Sequence, residues 1–160
     1  MTFRVAYEKF KRGYTTVDPT EISFRVWFVE NPMSPFHLHG SASLRDHDAI
    51  HVLLECDQTN DSEAFVIGFT MGTDDRIKSW EVTAFKFISR FLYPKKNKFT
   101  KAQIKIFERG FAYGLKKQSS CNRLGEFDWT KVDQDLPLEK VQVEFGIYGN
   151  ELRFFKGEVY

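Results

Sequence analysis

Cysteines and long apolar runs are scarce in this sequence, and both shortages exclude classes of protein. Only Cys56 and Cys121 occur, and they lack the spacing of a metal-binding cysteine pair. Reduced thiols in a cytoplasm-like compartment are therefore expected, with one disulfide as the alternative. The longest apolar stretches, 65–69 and the interrupted run 85–92, fall well short of the ~20 residues that a membrane-spanning helix needs. Any membrane contact is expected to be peripheral.

Excess charge and targeting segments are absent as well. The 23 Lys and Arg and the 22 Asp and Glu leave a net charge of +1, so no strong global field attracts nucleic acid, and nucleic-acid binding is not expected. Residues 1–10 resemble neither a signal peptide nor an Arg- and Ser-rich transit peptide. The sequence thus favours a cytoplasmic location.

Apolar and aromatic side chains are abundant and recur with helical spacing. Hydrophobic residues make up 42% of the 160 residues and include 17 Phe, enough for one core in one domain, 1–160. Apolar positions separated by three or four residues predict a single all-α domain of six or seven helices.

Capping residues and glycines place the ends of these helices. Thr2 is the expected cap of the first helix and Gly72 the left-handed stop of the fourth. The second helix also shows the alternation of a strand, and the tail 148–160 is expected to form a turn and a short strand. The expected helices are about 3–13, 18–31, 41–56, 63–71, 73–93, 100–115 and 135–146.

The fifth of these helices has the clearest apolar stripe. We expect this stripe to face the core, because an amphipathic helix normally buries its apolar side. Its members are Ile77, Trp80, Ala84, Phe87, Ile88 and Phe91.

The side chains suited to chemistry are concentrated in the motif His-Asp-Ala-Ile-His at 47–51. Residues advance about 100° each along an α-helix, so His47 and His51 lie about 40° apart on one face, with Asp48 on the same side. Glu63 opens the next helix after a short loop, which predicts antiparallel neighbours and lets its carboxylate reach the imidazoles. Such a ligand set suits zinc, iron or manganese, or magnesium where carboxylates dominate.

The motif by itself is a weak indication of a metal site. Histidines four residues apart also occur by chance on solvated helices. The zincin protease signature has Glu at the second position of its motif, where this chain has Asp48, so that class of protease is not indicated.

The spacing and three downstream segments together resemble the coenzyme Q biosynthesis family. Eleven residues separate His51 from Glu63, as in that family's pattern of His-Asp-x-x-His followed by Glu. The segment Phe-Glu-Arg-Gly-Phe-Ala-Tyr-Gly at 107–114 is similar to the family's helix with paired glycines. Residues 127–129, 136–141 and 145–147 resemble its closing segment.

This resemblance covers about residues 40–147. The chain departs from the family at 54–57, where Leu-Glu-Cys-Asp stands in place of the usual Gly-Tyr-Asp stretch, and its tail 148–160 has no counterpart. These departures weaken the inference about the substrate more than the other inferences.

The resemblance implies an all-helical fold and a site for one divalent ion. Its metal ligands would be His47, Asp48, His51 and Glu63, with Asp48 and Glu63 as catalytic residues, or with Asp48 orienting an imidazole. Zinc is the favoured ion, with iron, manganese and magnesium as alternatives. The implied activity is removal of the ring carboxyl group, with hydroxylation at the same carbon, from a polyprenylated hydroxybenzoate in ubiquinone synthesis. The metal would act as Lewis acid.

The same resemblance suggests partners and leaves alternatives open. Expected partners are a prenylated aromatic or isoprenoid lipid, other quinone-biosynthesis proteins, the inner membrane surface and a second copy of the chain. A non-catalytic helical scaffold that binds isoprenoid lipids is one alternative function, and a metal-dependent phosphohydrolase is another.

Several further residues are candidates for binding. Arg45 could hold a lipid phosphate or carboxylate, with a solvated charge as the alternative. His37 and His39 could line the site only if their Pro- and Gly-containing loop folded over it. The lysines around Phe99 suit an anionic lipid surface, with a solvated loop as the alternative; they are Lys95, Lys96, Lys98 and Lys101.

Two pairs of glycines are spaced for close helix packing. Gly68 and Gly72, and likewise Gly110 and Gly114, lie four residues apart. A glycine inside a helix costs up to ~1 kcal/mol against Ala, so a tight contact is expected to offset that cost. Room for an isoprenoid chain between helices is the alternative.

Overall fold

A computed structural model describes residues 1–13, 44–93, 95, 98–120, 124 and 127–157 of this chain. Over these ranges it forms seven α-helices and a 3-10 turn at Trp129–Lys131. The helices are α1 (Phe3–Arg12), α2 (Leu44–Leu53), α3 (Asn60–Thr73), α4 (Ser79–Phe91), α5 (Lys101–Lys117), α6 (Leu138–Glu144) and α7 (Gly149–Lys156). In the described ranges, β-structure is limited to an isolated bridge between Thr2 and Pro137. The predicted all-α class is confirmed, while the helix predicted at 18–31 lies outside the described residues.

The starts of α1 and α5 confirm the predicted caps. The Thr2 hydroxyl accepts the Val5 amide at 3.4 Å. Thr100 and Gln103 form a capping box, in which each side chain accepts the other residue's amide. Such caps satisfy amides that have no partner within the helix.

Two predictions, one about a helix end and one about the C-terminal segment, are wrong. Gly72 does not end α3, which continues to Thr73. The tail predicted as turn and strand forms α7, whose left-handed stop is Gly157 at φ 79°. Gly72 instead serves the packing of α3, the other role that its spacing predicted.

Helices α3 and α5 pack backbone against backbone along a glycine seam. A Cβ on Gly68 would collide with the Phe107 carbonyl oxygen, and one on Gly72 with the Phe111 carbonyl oxygen. Because the contacts advance along both helices in the same direction, α3 and α5 run parallel. The seam consists of Gly68, Gly72, Gly110 and Gly114.

The glycine seam lies between two apolar clusters. The first cluster is built mainly by α1, α2 and α3, with α6 and α7 packed on it, and Phe3, Leu53 and Val141 are among its buried members. The second lies between α3, α4 and α5 and includes Phe85 and Phe107. Helix α3 contributes to both clusters, so its position, and that of the residues in its first turn, is fixed from both sides.

The predicted orientation of α4 is wrong for the three aromatic members of its stripe, whereas Ile77, Ala84 and Ile88 are partly buried. Trp80, Phe87 and Phe91 are 57%, 56% and 52% exposed, whereas Phe85 is 1% exposed. The Phe85 ring stacks on that of Phe107 with centroids 4.8 Å apart. The buried face is determined instead by the packed ring of Phe85 and by the cap of α4. In this cap the Glu81 carboxylate accepts the Lys78 amide at 2.8 Å.

No helix in the described part of the chain combines the length and apolar character required to cross a bilayer.

Candidate metal centre

Three side chains from α2 and the first turn of α3 converge on one point. His47 Nε2 lies 3.1 Å from Glu63 Oε2, and His51 Nε2 lies 3.3 Å from Glu63 Oε1. The two imidazole Nε2 atoms are 3.2 Å apart. Ligand atoms bound at ~2.05 Å in a tetrahedral shell lie about 3.3 Å from one another. Each imidazole nitrogen faces a different oxygen of the Glu63 carboxylate, and each of the three separations is close to that of two atoms bound to the same metal ion.

The three side chains are almost completely buried. His47, His51 and Glu63 are 8%, 0% and 6% exposed at their side chains. Burial of a carboxylate is costly unless its charge is compensated, and a cation bound between the three residues would supply that compensation.

The orientation of His51 leaves its Nε2 lone pair facing this point. His51 Nδ1 lies 2.8 Å from the backbone oxygen of Asp57. A carbonyl oxygen only accepts hydrogen bonds, so Nδ1 carries a proton and donates it; in the metal-binding, neutral form of the ring the lone pair is therefore on Nε2. A carbonyl that fixes the far nitrogen in this way is the usual support of a metal-binding histidine. The Phe10 ring, 5.3 Å away between centroids, packs against the same imidazole.

The Asp57 side chain holds its own loop against α3. Its Oδ1 accepts the Thr59 amide at 3.0 Å, the Thr59 hydroxyl at 2.6 Å and the Ser62 hydroxyl at 2.5 Å. Partial burial opposes ionisation of Asp57, but the hydrogen bonds from Ser62 and Thr59, together with nearby His51, keep its pKa below the usual value. The carbonyl that orients His51 thus belongs to a residue tied to the start of α3.

The end of α2 is a Schellman motif with an unusual residue at its left-handed position. The Cys56 amide donates to the His51 carbonyl at 2.9 Å, and the Glu55 amide to the Val52 carbonyl at 3.1 Å. Glu55 has φ 49°, a conformation that costs a non-glycine residue about 1 kcal/mol.

Two later helices hold Glu55 in that conformation. Gln142 of α6 donates to its carboxylate at 3.1 Å, and Lys156 of α7 donates to its backbone oxygen at 3.0 Å. The loop between the metal-ligand candidates is therefore anchored by the C-terminal part of the chain.

Glu63 is the negative group of the centre. Burial alone would raise its pKa, but the neighbouring His51 and His47 lower it well below the usual value. The carboxylate is consequently ionised at neutral pH and available as a ligand.

The buried thiol next to the centre is a different kind of group. Cys56 is a free cysteine, and burial raises its pKa to about 12. Cys56 is not among the candidate ligands that meet at the centre, which are His47, His51 and Glu63.

The structure brings together three of the four predicted ligands. His47, His51 and Glu63 form the one group of candidate ligands found within the described residues, all atoms lying within 4.8 Å of one another. Asp48 is buried but is not in this group. Its carboxylate acts on Tyr7, whose pKa is raised to about 12 first by burial and then by Asp48. The ligand or catalytic role of Asp48 stays a prediction.

The other predicted binding residues lie outside the cluster. Arg45 is exposed in the first turn of α2, and its contact with a lipid stays a prediction. His37 and His39 lie outside the described residues. One supporting residue escaped the sequence reasoning: Asp46 accepts the Trp129 amide at 2.8 Å and anchors α2 to the 3-10 turn. No local pattern indicated a contact across such a sequence distance.

Comparisons of this chain with protein-family models, with curated proteins and with solved structures give no match. The candidate site therefore rests on the three residues and their geometry. Three protein ligands leave one position of a tetrahedral shell open, as in catalytic zinc sites, whereas structural zinc sites usually have four protein ligands.

Proposed function

We propose that this chain binds one divalent metal ion through His47, His51 and Glu63, and that the ion serves chemistry in quinone biosynthesis. The observation that carries the metal site is the convergence of two imidazoles on one carboxylate. The two Nε2 atoms lie 3.2 Å apart, and they lie 3.1 and 3.3 Å from the two different oxygens of Glu63. The orienting bond from His51 to the Asp57 carbonyl supports the site independently. Zinc fits the two nitrogen ligands and one carboxylate best, and iron or manganese fit the same set.

The metal site is tested by metal content and affinity. We expect the purified full chain to carry close to one equivalent of metal by inductively coupled plasma mass spectrometry, and His51→Ala to carry little. Glu63→Gln keeps the side-chain shape but removes the charge, so zinc affinity should fall by at least tenfold. Glu108→Gln, at an exposed residue paired with Lys86, is the matched control. Equal zinc binding by wild type and both site variants would contradict the proposal.

The proposed substrate is a polyprenylated hydroxybenzoate, as the resemblance to the coenzyme Q biosynthesis family implies. A bound divalent ion supplies Lewis acidity toward a carboxylate or phenolate. The reaction breaks the bond between the ring and its carboxyl group, releases carbon dioxide and forms a ring C–O bond. Together these changes remove two electrons from the substrate, so they require an oxidant. With dioxygen, one oxygen atom enters the ring and the other is reduced to water by two electrons from a reductant.

The activity is tested with zinc-, iron- and manganese-loaded protein, a prenylated hydroxybenzoate carrying a labelled carboxyl group, dioxygen and a reductant. The expected result is release of labelled carbon dioxide that His47→Ala abolishes while circular dichroism stays helical. Absence of turnover with every metal, from protein that binds metal normally, would reject the catalytic part and keep the metal site.

Burial of the ligands supports a second candidate, a helical scaffold that binds isoprenoid lipids and uses the metal for structure. With side chains at most 8% exposed, the ion would lie out of direct contact with solvent. Co-purified isoprenoid lipid, identified by mass spectrometry from protein that has no turnover, would favour the scaffold. Metal removal would then lower stability without changing any rate.

A further inference from the structure

Helix α4 turns its aromatic side outward. Trp80, Phe87 and Phe91 form one stripe along the helix, which we call the aromatic face, and each is more than half exposed. Residues at positions i, i+7 and i+11 lie on the same side of an α-helix. The rings of Phe87 and Phe91 touch each other, with centroids 5.1 Å apart. Leu92, 66% exposed, continues the apolar surface past the end of the helix.

The outward orientation of these rings follows from the packing of the other side of α4. The opposite side of α4 is well occupied, with Glu81, Phe85 and Ser89 buried at 2%, 1% and 0% exposure. The Phe99 amide also donates to the Ser89 carbonyl at 2.9 Å. Rotating α4 to bury the aromatic face would break these contacts, so the outward orientation is the stable one.

The exposed charges of α4 itself are all basic. The only acidic residue of α4 is Glu81, which is buried on the other side. Arg90 lies over the Phe91 ring at 5.4 Å, and exposed lysines stand at both ends of the helix. These are Lys78 before α4 and Lys95 and Lys98 after it.

The segment after α4 is tied back to the helix by the bond between the Phe99 amide and the Ser89 carbonyl. Lys98, the residue before Phe99, is exposed and therefore lies near α4. Aromatic rings on one side and basic groups around them are the composition of helices that lie in the surface of an anionic membrane.

A second copy of the chain fits this surface poorly. Covering the exposed parts of three aromatic rings and Leu92 would bury roughly 400 Å² per copy, about half of what a stable dimer interface uses. A two-fold symmetric contact also pairs a surface with itself. The cations around each aromatic face would then oppose one another, whereas an anionic bilayer complements them.

We propose that the aromatic face of α4, with Lys78, Arg90, Lys95 and Lys98 around it, docks this protein on the surface of an anionic lipid bilayer. The helix lies parallel to the membrane plane, with the three rings inserted at the level of the headgroups and acyl boundary. The basic side chains contact lipid phosphates. This surface does not depend on the metal centre.

The proposal is tested by co-sedimentation of the full chain with vesicles of phosphatidylcholine alone and with 30% phosphatidylglycerol, as roughly physiological anionic content. We expect binding to the anionic vesicles that weakens at least tenfold in the triple variant Trp80→Ser, Phe87→Ser and Phe91→Ser. Because the replaced side chains are exposed, the variant should stay folded, which circular dichroism checks. Binding should also fall with rising salt and in Lys95→Glu with Lys98→Glu.

Phe154→Ser is the matched control. Phe154 is 75% exposed but belongs to α7, away from the aromatic face in sequence and element, so its replacement should leave vesicle binding unchanged. Trp80 also reports its own insertion. A blue shift of tryptophan fluorescence on vesicle addition should disappear in Trp80→Phe, which keeps an aromatic ring and retains binding.

Three results would overturn the proposal. One is failure of the wild-type chain to bind anionic vesicles. Another is binding that the triple variant retains or that Phe154→Ser abolishes. A third is concentration-dependent dimerisation, measured by analytical ultracentrifugation, that the triple variant abolishes, because it would assign the aromatic face to a second copy.

Discussion

Helix α3 contains two regions that contrast within 14 residues. Its first turn presents the charged Glu63 to two imidazoles in a buried polar centre. Its middle presents Gly68 and Gly72 to the backbone of α5, with no side chains between. The first region needs a balancing charge and a fixed loop, so it should respond to metal and pH. The second region needs only space between the two backbones. Its stability should therefore change when a side chain is added and should not change with metal or pH.

The largest effect should come from adding volume to the glycine seam. In Gly68→Ala the new Cβ would overlap the Phe107 backbone, which cannot move as a flexible side chain would. We expect a loss of about 3 kcal/mol in the free energy of unfolding, measured in urea, although Ala favours helix. Gly149→Ala is the control, since nothing lies within 4 Å of its Cβ position. A loss below ~1 kcal/mol at Gly68 would mean that α3 and α5 do not touch.

The metal centre should instead show a gain that depends on metal. Zinc at a hundred times its dissociation constant should stabilise the wild-type chain by about 2.7 kcal/mol, and a chelator should reverse the gain. His51→Ala should abolish this response, while Gly68→Ala should keep it at lower overall stability. Thermal unfolding with and without zinc measures the stabilisation of both variants. An unchanged zinc response in His51→Ala would show that the two regions of α3 do not differ in their dependence on metal.

The charge of Glu63 should make the centre sensitive to acid in metal-free protein. Its folded-state pKa lies below the ordinary value of 4.5, so the ionised group stabilises the fold above about pH 4.5, and this contribution is lost as pH falls toward the folded-state pKa. We expect Glu63→Gln to cost about 2 kcal/mol at pH 7 and progressively less below pH 4.5. Urea titrations at several pH values measure the difference. A difference that grows on acidification would contradict the assigned direction.

Changes in the Asp57 loop should lower zinc affinity more than they lower the stability of the fold. Asp57→Asn weakens the bonds that position the Asp57 carbonyl against His51, so zinc affinity should fall about tenfold, as for other supporting residues of metal sites. Asp128→Asn is a close control, because Asp128 binds the Thr130 amide and hydroxyl at 3.0 and 2.6 Å, the same distances as in the Asp57 loop. Equal loss of zinc affinity in both variants would show that the Asp57 loop has no special role.

The smallest effect concerns the left-handed residue at the end of α2. Glu55→Gly and Glu55→Ala both remove the carboxylate that Gln142 contacts and leave its bond to the Leu53 carbonyl, but only Gly adopts φ 49° without strain. The Gly variant should therefore be about 1 kcal/mol more stable than the Ala variant. Urea unfolding of the pair measures the difference, and equal stability would show that the loop relaxes when Glu55 is replaced.

Much of the metal centre could be predicted because its parts are local. His47 and His51 are one helical turn apart, and Glu63 follows after a short loop, so helix geometry and spacing sufficed. The bond from Asp46 to Trp129 could not be predicted, because it joins residues far apart in the sequence. The contacts of the Asp57 loop are local, but the loop follows the left-handed Glu55, which is held by Gln142 and Lys156 of later helices. The family resemblance and its substrate remain hypotheses.

The sequence by itself determined the helical class, the caps at Thr2 and Thr100, the two glycine pairs and the convergence of two histidines with a glutamate. These follow from local geometry, which a helix repeats wherever it lies. Only the tertiary structure decided that Gly72 continues α3, that the tail forms α7 and that α4 buries Phe85 rather than its aromatic stripe. An apolar stripe shows that a helix needs an apolar neighbour, but the remaining contacts of the chain decide which side of the helix obtains one.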